Sequence, residues 1–349
     1  MKISVLCTGF SHPHVGWVAI DELAQLMVHY FDAELLTPVR LRAPWLMGTI
    51  RPHRQHFETI DTQGGDVLFV VAHGPGDLEA IKAIPRCRQK FKKIYAWVTD
   101  SYFYQAFPLE TAWFDGITVT AIEDMPFVEN KFKIEVKHLY QGADCLTWAP
   151  KTLETSQRSI DLIGFGRNPP SYHKAFSRHF HDAASPYLYL HSPLGNISGP
   201  DVHTERGMLF KLLQRSKVSM AFHLFVEPQV DRPRSMMVTS RWLESLLSGC
   251  IVAGHRPQSR MADDMLCWPG ATLELSSQPL QAVEQLENIF NTDANHHEQR
   301  RRNIHEMLLR HDWRERIKSI CTLWGWPIPH ALQQDLEKLA QLATRFDAK

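Results

Sequence analysis

Two neighbouring stretches decide the fold: Leu212–Phe225, reading LLQRSKVSMAFHLF, and Thr239–Gly254, reading TSRWLESLLSGCIVAG. In the first, the apolar and β-branched run from Val218 to Leu224 has the length and composition of a buried strand. In the second, Trp242, Leu243, Leu246, Leu247 and Cys250 form one apolar helix face, and Cys250–Ala253 reads as a further strand. Strand, helix, strand in that order predicts a βαβ unit and a parallel sheet.

The other face of that helix carries Arg241, Glu244 and Ser248 at spacings of three and four, which predicts that they point away from the core. A capping box needs its acid three residues after the cap, whereas Glu244 stands four beyond Ser240 and five beyond Thr239. Facing a nucleotide near a helix start, such a carboxylate can accept both ribose hydroxyls while backbone N–H groups and Arg241 receive the phosphates. A solvated surface glutamate is the plainer alternative.

Outward from this region the alternation continues. Upstream, Ile3–Cys7, Ala33–Leu36, Val67–Ala72, Lys93–Val98, Gly116–Thr120 and Val136–Leu139 read as strands separated by helical stretches. A polar, pattern-poor segment, 151–159, precedes a fresh strand at Ile160–Ile163, and the domain boundary is placed there. Tyr187–Leu190 and Leu273–Leu275 are further strand candidates in the second half. The tail is helical, with Leu332, Leu336, Leu339, Ala343 and Phe346 at helical spacing, so that stripe needs a surface to pack on.

Composition narrows the function classes. At 349 residues the chain is long enough for two domains. Lys plus Arg and Asp plus Glu number 38 each, so no overall field favours nucleic acid or an anionic membrane, and any anion site must be local. Six cysteines without a C-x-x-C pair argue against a disulfide framework or a zinc cage. Met1 leads straight into a strand-like run, and no apolar run approaches membrane-spanning length, so the expectation is a cytoplasmic protein with at most peripheral membrane contact.

Several segments together resemble a known family. Lys217–Leu224, Thr239-Ser240-Arg241, Glu244 and Gly249 resemble the donor-binding region of GT-B glycosyltransferases, nearest to the spore-maturation-protein (CgeB)-like, family-4-like branch. Gln141-Gly142-Ala143-Asp144 followed by Ala149-Pro150 is similar to the signature that closes the first GT-B domain. Asp161–Arg167 is similar to the strand and glycine turn that open the second. The resemblance implies that Thr239, Ser240, Arg241 and Glu244 bind a nucleotide-sugar donor without a metal.

Gly164 and Gly166 let backbone approach a phosphate, with Arg167 available for charge, although the third glycine of a dinucleotide fingerprint is replaced by Pro169 and an ordinary tight turn remains an alternative. The retaining subfamily's first glutamate falls where Met236 stands, which leaves the stereochemistry open. His223 and Glu227 lie ahead of the helix and can face the donor sugar.

In the first half, Gly9–Gly16 follows the first strand and carries His12 and His14, too few ligands for a good metal site. His73 and Asp100 end two other strands and should face the interdomain cleft. Asp100, His73 or His12 can serve as the base that takes the acceptor hydroxyl proton, while turn and capping roles remain open for each. The basic run Arg86–Lys93 reads as a solvated helix end or, alternatively, as a contact for phospholipid headgroups or a lipid-linked acceptor.

The expectation is therefore an α/β protein of two Rossmann-like doubly wound domains facing each other across a cleft, with C-terminal helices. Residues 1–152 form the acceptor domain, 153–325 the nucleotide-sugar domain, and 326–349 a helix that packs back on the first. The expected activity is transfer of a hexose-like sugar to a glycan, lipid-linked or small-molecule acceptor in bacterial surface-glycan synthesis, with no metal, cofactor or nucleic acid. The alternatives are a nucleotide-sugar epimerase of the same fold and a non-catalytic nucleotide-sugar or glycan-binding protein.

Overall fold

The computed structural model describes residues 1–41, 56–152, 158–191, 201–223, 236–292 and 296–347. Two parallel sheets organise it. The first has six strands in the order β2-β1-β5-β6-β7-β8, drawn from β1 (Ile3–Cys7), β2 (Glu34–Leu36), β5 (Gly65–Ala72), β6 (Phe91–Val98), β7 (Gly116–Val119) and β8 (Glu135–His138). The second has five in the order β10-β9-β11-β12-β13: β9 (Ile160–Gly164), β10 (Tyr189–His191), β11 (Ser216–Phe222), β12 (Ile251–His255) and β13 (Leu273–Glu274). A short antiparallel pair, β3 (Arg40–Leu41) with β4 (His56–Phe57), has no counterpart in the sequence reading, since two residues a side carry no periodic signal.

The central strands of both sheets are buried on two faces, so they are mainly apolar rather than alternating. In β1 and β5, Val5, Val67, Phe69 and Val71 enter one core cluster while Leu6, Leu68, Val70 and Ala72 enter another. In each unit the strand order reverses beside its first strand, between β1 and β5 and between β9 and β11. Crevices outside the carboxyl ends at such switch points are where doubly wound sheets take ligands.

The C-terminal helices tie the two units together. The chain reaches the second sheet through Cys145–Trp148 and returns at a parallel bridge, Ala143 to Asp312. The helix Trp313–Trp324 then packs on the first unit: Trp313, Ile317 and Ile320 share a cluster with Val5, Phe69 and Trp97, and Trp313 Nε1 donates to Ala19 O at 3.1 Å. The return thus begins at Trp313, inside the span expected for the second domain. The last helix, His330–Thr344, is shared, with Leu332 in that cluster and Leu339 and Ala343 packed with Trp242, Leu246 and Ile304.

The plainer alternative of a solvated surface glutamate does not hold: Arg241, Glu244 and Ser248 are 9%, 4% and 0% exposed. The polar face is turned to the seam between the units, where charged neighbours replace water. Arg300 is likewise buried, donating to Lys217 O. Among the described residues no helix is long and apolar enough to cross a membrane.

Candidate functional site

At the β1/β5 switch point several polar side chains converge on one buried carboxylate. Asp21, in the helix Val18–Phe31, is bonded through Oδ1 to His73 Nε2 at 2.7 Å and to the Cys7 thiol at 3.3 Å. His203 Nε2, from the helix Val202–Leu213 of the second unit, meets Oδ2 at 3.1 Å. Burial works to raise the Asp21 pKa, but the hydrogen bonds from His203 and His73 outweigh it and hold the carboxyl at about 2. Gly9 makes this geometry possible, because a Cβ there would lie 1.9 Å from Asp21 Oδ1.

His73 is wedged. Its Nδ1 lies 3.4 Å from Asp77, whose carboxylate also takes Thr8 Oγ1, the His73 N–H and Arg40, and Trp17 stacks on its ring at 5.3 Å. With a carboxylate at each ring nitrogen, His73 is placed to be oriented rather than to accept a proton from a substrate. Cys7, Asp21 and His73 bring ligand atoms within 4.8 Å of one another, a set with the chemistry for a metal ion, and here those atoms satisfy one another. His12 is engaged as well, its Nε2 accepting the Arg40 N–H at 3.2 Å.

Asp100 is different. It follows β6 with φ 47°, a left-handed backbone that few residues other than glycine, asparagine and aspartate adopt. Among the described residues nothing donates a hydrogen bond to its carboxylate. Burial pushes its pKa up to about 7 against the opposing pull of Arg167 and His73. Arg167 belongs to the second unit, so Asp100 faces across the seam.

At the β9/β11 switch point, Gly166 takes φ 64° and turns the chain back after β9. Arg241 lies beneath that turn: its guanidinium donates to the carbonyls of Arg167 and Phe165 and to Phe222 O. Burial, with Arg167 nearby, lowers its pKa to about 10, so it remains a cation at neutral pH, and among the described residues its hydrogen-bond acceptors are backbone oxygens. Nearby, Thr239 Oγ1 and both amide atoms of Asn168 are buried and find no hydrogen-bond partner among the described residues. Gly164 ends β9 with Asn168 Nδ2 3.1 Å from where its Cβ would stand. Ser240 opens the helix behind the cap residue Thr239, and His223 follows β11, its amide donating to His255 O at 3.4 Å.

Glu244 sits one turn deeper. Its Oε1 accepts from Arg206 Nη1 at 2.5 Å, and Arg206 Nε donates to Glu22 of the first unit, also at 2.5 Å. The helix Val202–Leu213 therefore presents His203 and Arg206, three residues apart, to the adjacent acids Asp21 and Glu22. Glu244 Oε2 carries no hydrogen bond among the described residues.

The structure thus brings Gly164, Gly166, Arg167, Thr239, Ser240 and Arg241 together, with Asp100 opposite Arg167 and Glu244 in the seam. His12 lies in the first unit against Arg40, and Glu227 is outside the described residues. Asp21, Glu22, Asn168, His203 and Arg206 were missed by the sequence reading. The available signal was two acids inside the apolar run VAIDELAQLM at 18–27 and a His and Arg at one-turn spacing. The basic run is largely neutralised: Arg88 and Lys93 pair with Asp115, Lys92 with Asp66 and Lys90 with Asp61.

Residues 188–322 match a family model described as glycosyl transferase-like. No curated protein matches the chain. Among solved structures, Anabaena HepE in complex with UDP and glucose is similar at a TM-score of 0.52 and 10% identity, covering 93% of this chain and 99% of that one. The same protein in complex with UDP-glucose gives a TM-score of 0.51 at 10% identity, covering 93% and 100%. The fold is accordingly the GT-B arrangement of two Rossmann-like units, and the second unit carries a glycosyl transferase-like domain.

Proposed function

We propose that this protein transfers a sugar from a nucleotide-sugar donor to an acceptor hydroxyl, with the donor on the second unit and the acceptor on the first. The observation that carries this reading is the unbalanced chemistry at the β9/β11 switch point: a buried Arg241 cation whose hydrogen-bond acceptors among the described residues are backbone carbonyls, beside Thr239 and Asn168 groups that find no partner among those residues. A diphosphate supplies the missing anion and acceptors. Its oxygens would meet Arg241, the N–H groups at Ser240 and the Gly164–Gly166 turn, and these stabilise the charge that develops on the leaving group. In this reading Glu244 Oε2 accepts from the ribose, and His223 lies toward the sugar.

Asp100 is the proposed base. Burial pushes its carboxyl up to about 7, it accepts no hydrogen bond among the described residues, and it lies opposite Arg167. His73 instead orients its surroundings, held by Asp21 and Asp77. An acceptor unit 1–152, a donor unit from 153 onward with the helices after Trp313 packed back on the first, and a role in bacterial surface-glycan synthesis, without a metal or cofactor, complete the proposal; HepE, crystallised with UDP-glucose, supports the donor class.

A panel of nucleotide sugars in a thermal-shift assay, followed by measurement of free nucleotide released with and without acceptor sugars, tests it. Melting temperature should rise with the concentration of one donor class, and release should need an acceptor. An epimerised donor formed without acceptor, or no response to any nucleotide, contradicts the reading.

A further inference from the structure

We propose that Arg206 is a positioning residue: it fixes the Glu244 carboxylate for ribose recognition by anchoring it to Glu22 of the other unit. The inference rests on the donor reading above and adds to it how the site's shape is set. Arg206 is 5% exposed and Glu22 6%, so this is a desolvated chain of three charges rather than a surface pair.

Each link is directional. Glu22 is itself held from the first unit, by Trp148 Nε1 at 2.8 Å and the Asp144 N–H at 3.3 Å. The Arg206 guanidinium stacks on Phe210, 5.2 Å from the ring centroid, which fixes its plane. It then spends Nε on Glu22 and Nη1 on Glu244 Oε1, leaving Oε2 as the oxygen open to a ligand. Arg206 Nη2 is buried with no partner among the described residues, so the fork is not arranged to satisfy Arg206 itself. A lysine cannot reproduce this, because one ammonium on a flexible stem does not hold two carboxylates in a plane.

The consequence is that selectivity for ribose depends on a residue that need not touch the nucleotide. A carboxylate held in place before binding gives a stronger and more selective hydrogen bond than one that must be ordered on binding. The test is calorimetric titration of the full chain with UDP and GDP and their 2′-deoxy counterparts. Wild type, Glu244→Gln, Arg206→Gln and Arg206→Lys are compared, with melting temperature recorded for each.

Wild type should prefer the ribonucleotide by roughly tenfold or more, as expected for a hydrogen bond to a charged group. Glu244→Gln should erase most of that preference. Arg206→Gln should do the same, and Arg206→Lys, which keeps the charge, should fall short of wild type by several-fold while remaining folded. If Glu244→Gln erases the preference and the folded Arg206 variants keep it, the positioning role is overturned and the donor reading stands. If wild type binds neither nucleotide, or shows no preference, or Glu244→Gln retains it, the donor reading fails and this inference with it.

Discussion

Asp100 is the residue on which the chemistry turns. As a base it must be ionised, so transfer should rise with pH through about 7 and level off above it. Asp100→Asn should lower kcat by about two to four orders of magnitude with little change in donor affinity. An unaltered pH profile in the variant assigns the base elsewhere. Asp21 makes the opposite prediction. Its folded pKa of about 2 lies below the ordinary 3.8, so it contributes stability that is complete above pH 3.8 and disappears as pH falls through about 2. Asp21→Asn should therefore destabilise by about 2 kcal/mol in urea melts at pH 7, and the gap should close toward pH 2. A gap independent of pH means that packing, not charge, holds this junction.

At the scale of elements, the strands were legible because buried parallel strands are continuous apolar runs, and β1, β5, β6, β9 and β11 all begin within two residues of their expected positions. The helix Ser240–Leu247 was legible in its apolar stripe but not in its polar one. Spacing shows that Arg241 and Glu244 share a face, yet whether that face meets water or another unit depends on Arg206, 38 residues away, and through it on Glu22, a further 184 residues away. Gly254 in β12 shows the same limit: nothing local marks it, but a Cβ there would lie 1.8 Å from Ala221 O on β11. Gly254→Ala should destabilise by at least about 2 kcal/mol in a denaturant melt, since backbone on both sides must move. A loss under half that amount would show that β11 and β12 separate easily.

For the whole molecule, the two units share their C-terminal helices, and no shift of composition marks where the chain returns to the first. Trp313 and Leu332 complete the first unit's core, and Leu339 and Phe346 complete a core lying mainly in the second. Removing residues 326–349 takes away Leu332, Leu339 and Phe346, each at most 3% exposed. At about 1.5–3 kcal/mol each, their loss approaches the whole stability of an ordinary protein, so the truncated chain should aggregate or melt below growth temperature. A truncated chain with unchanged circular dichroism and melting temperature would show that this helix is an appendage.

The central claim, that the β9/β11 switch point holds a nucleoside diphosphate, is tested most directly by a crystal structure of the protein soaked with UDP or the best binder of the thermal-shift panel. The phosphates should lie against Arg241, the Ser240 helix start and the Gly164–Gly166 turn, with the ribose within hydrogen-bonding distance of Glu244 Oε2 and the terminal phosphate directed toward Asp100. Nucleotide density at the β1/β5 switch point, with the second unit's pocket left to water, would contradict the account.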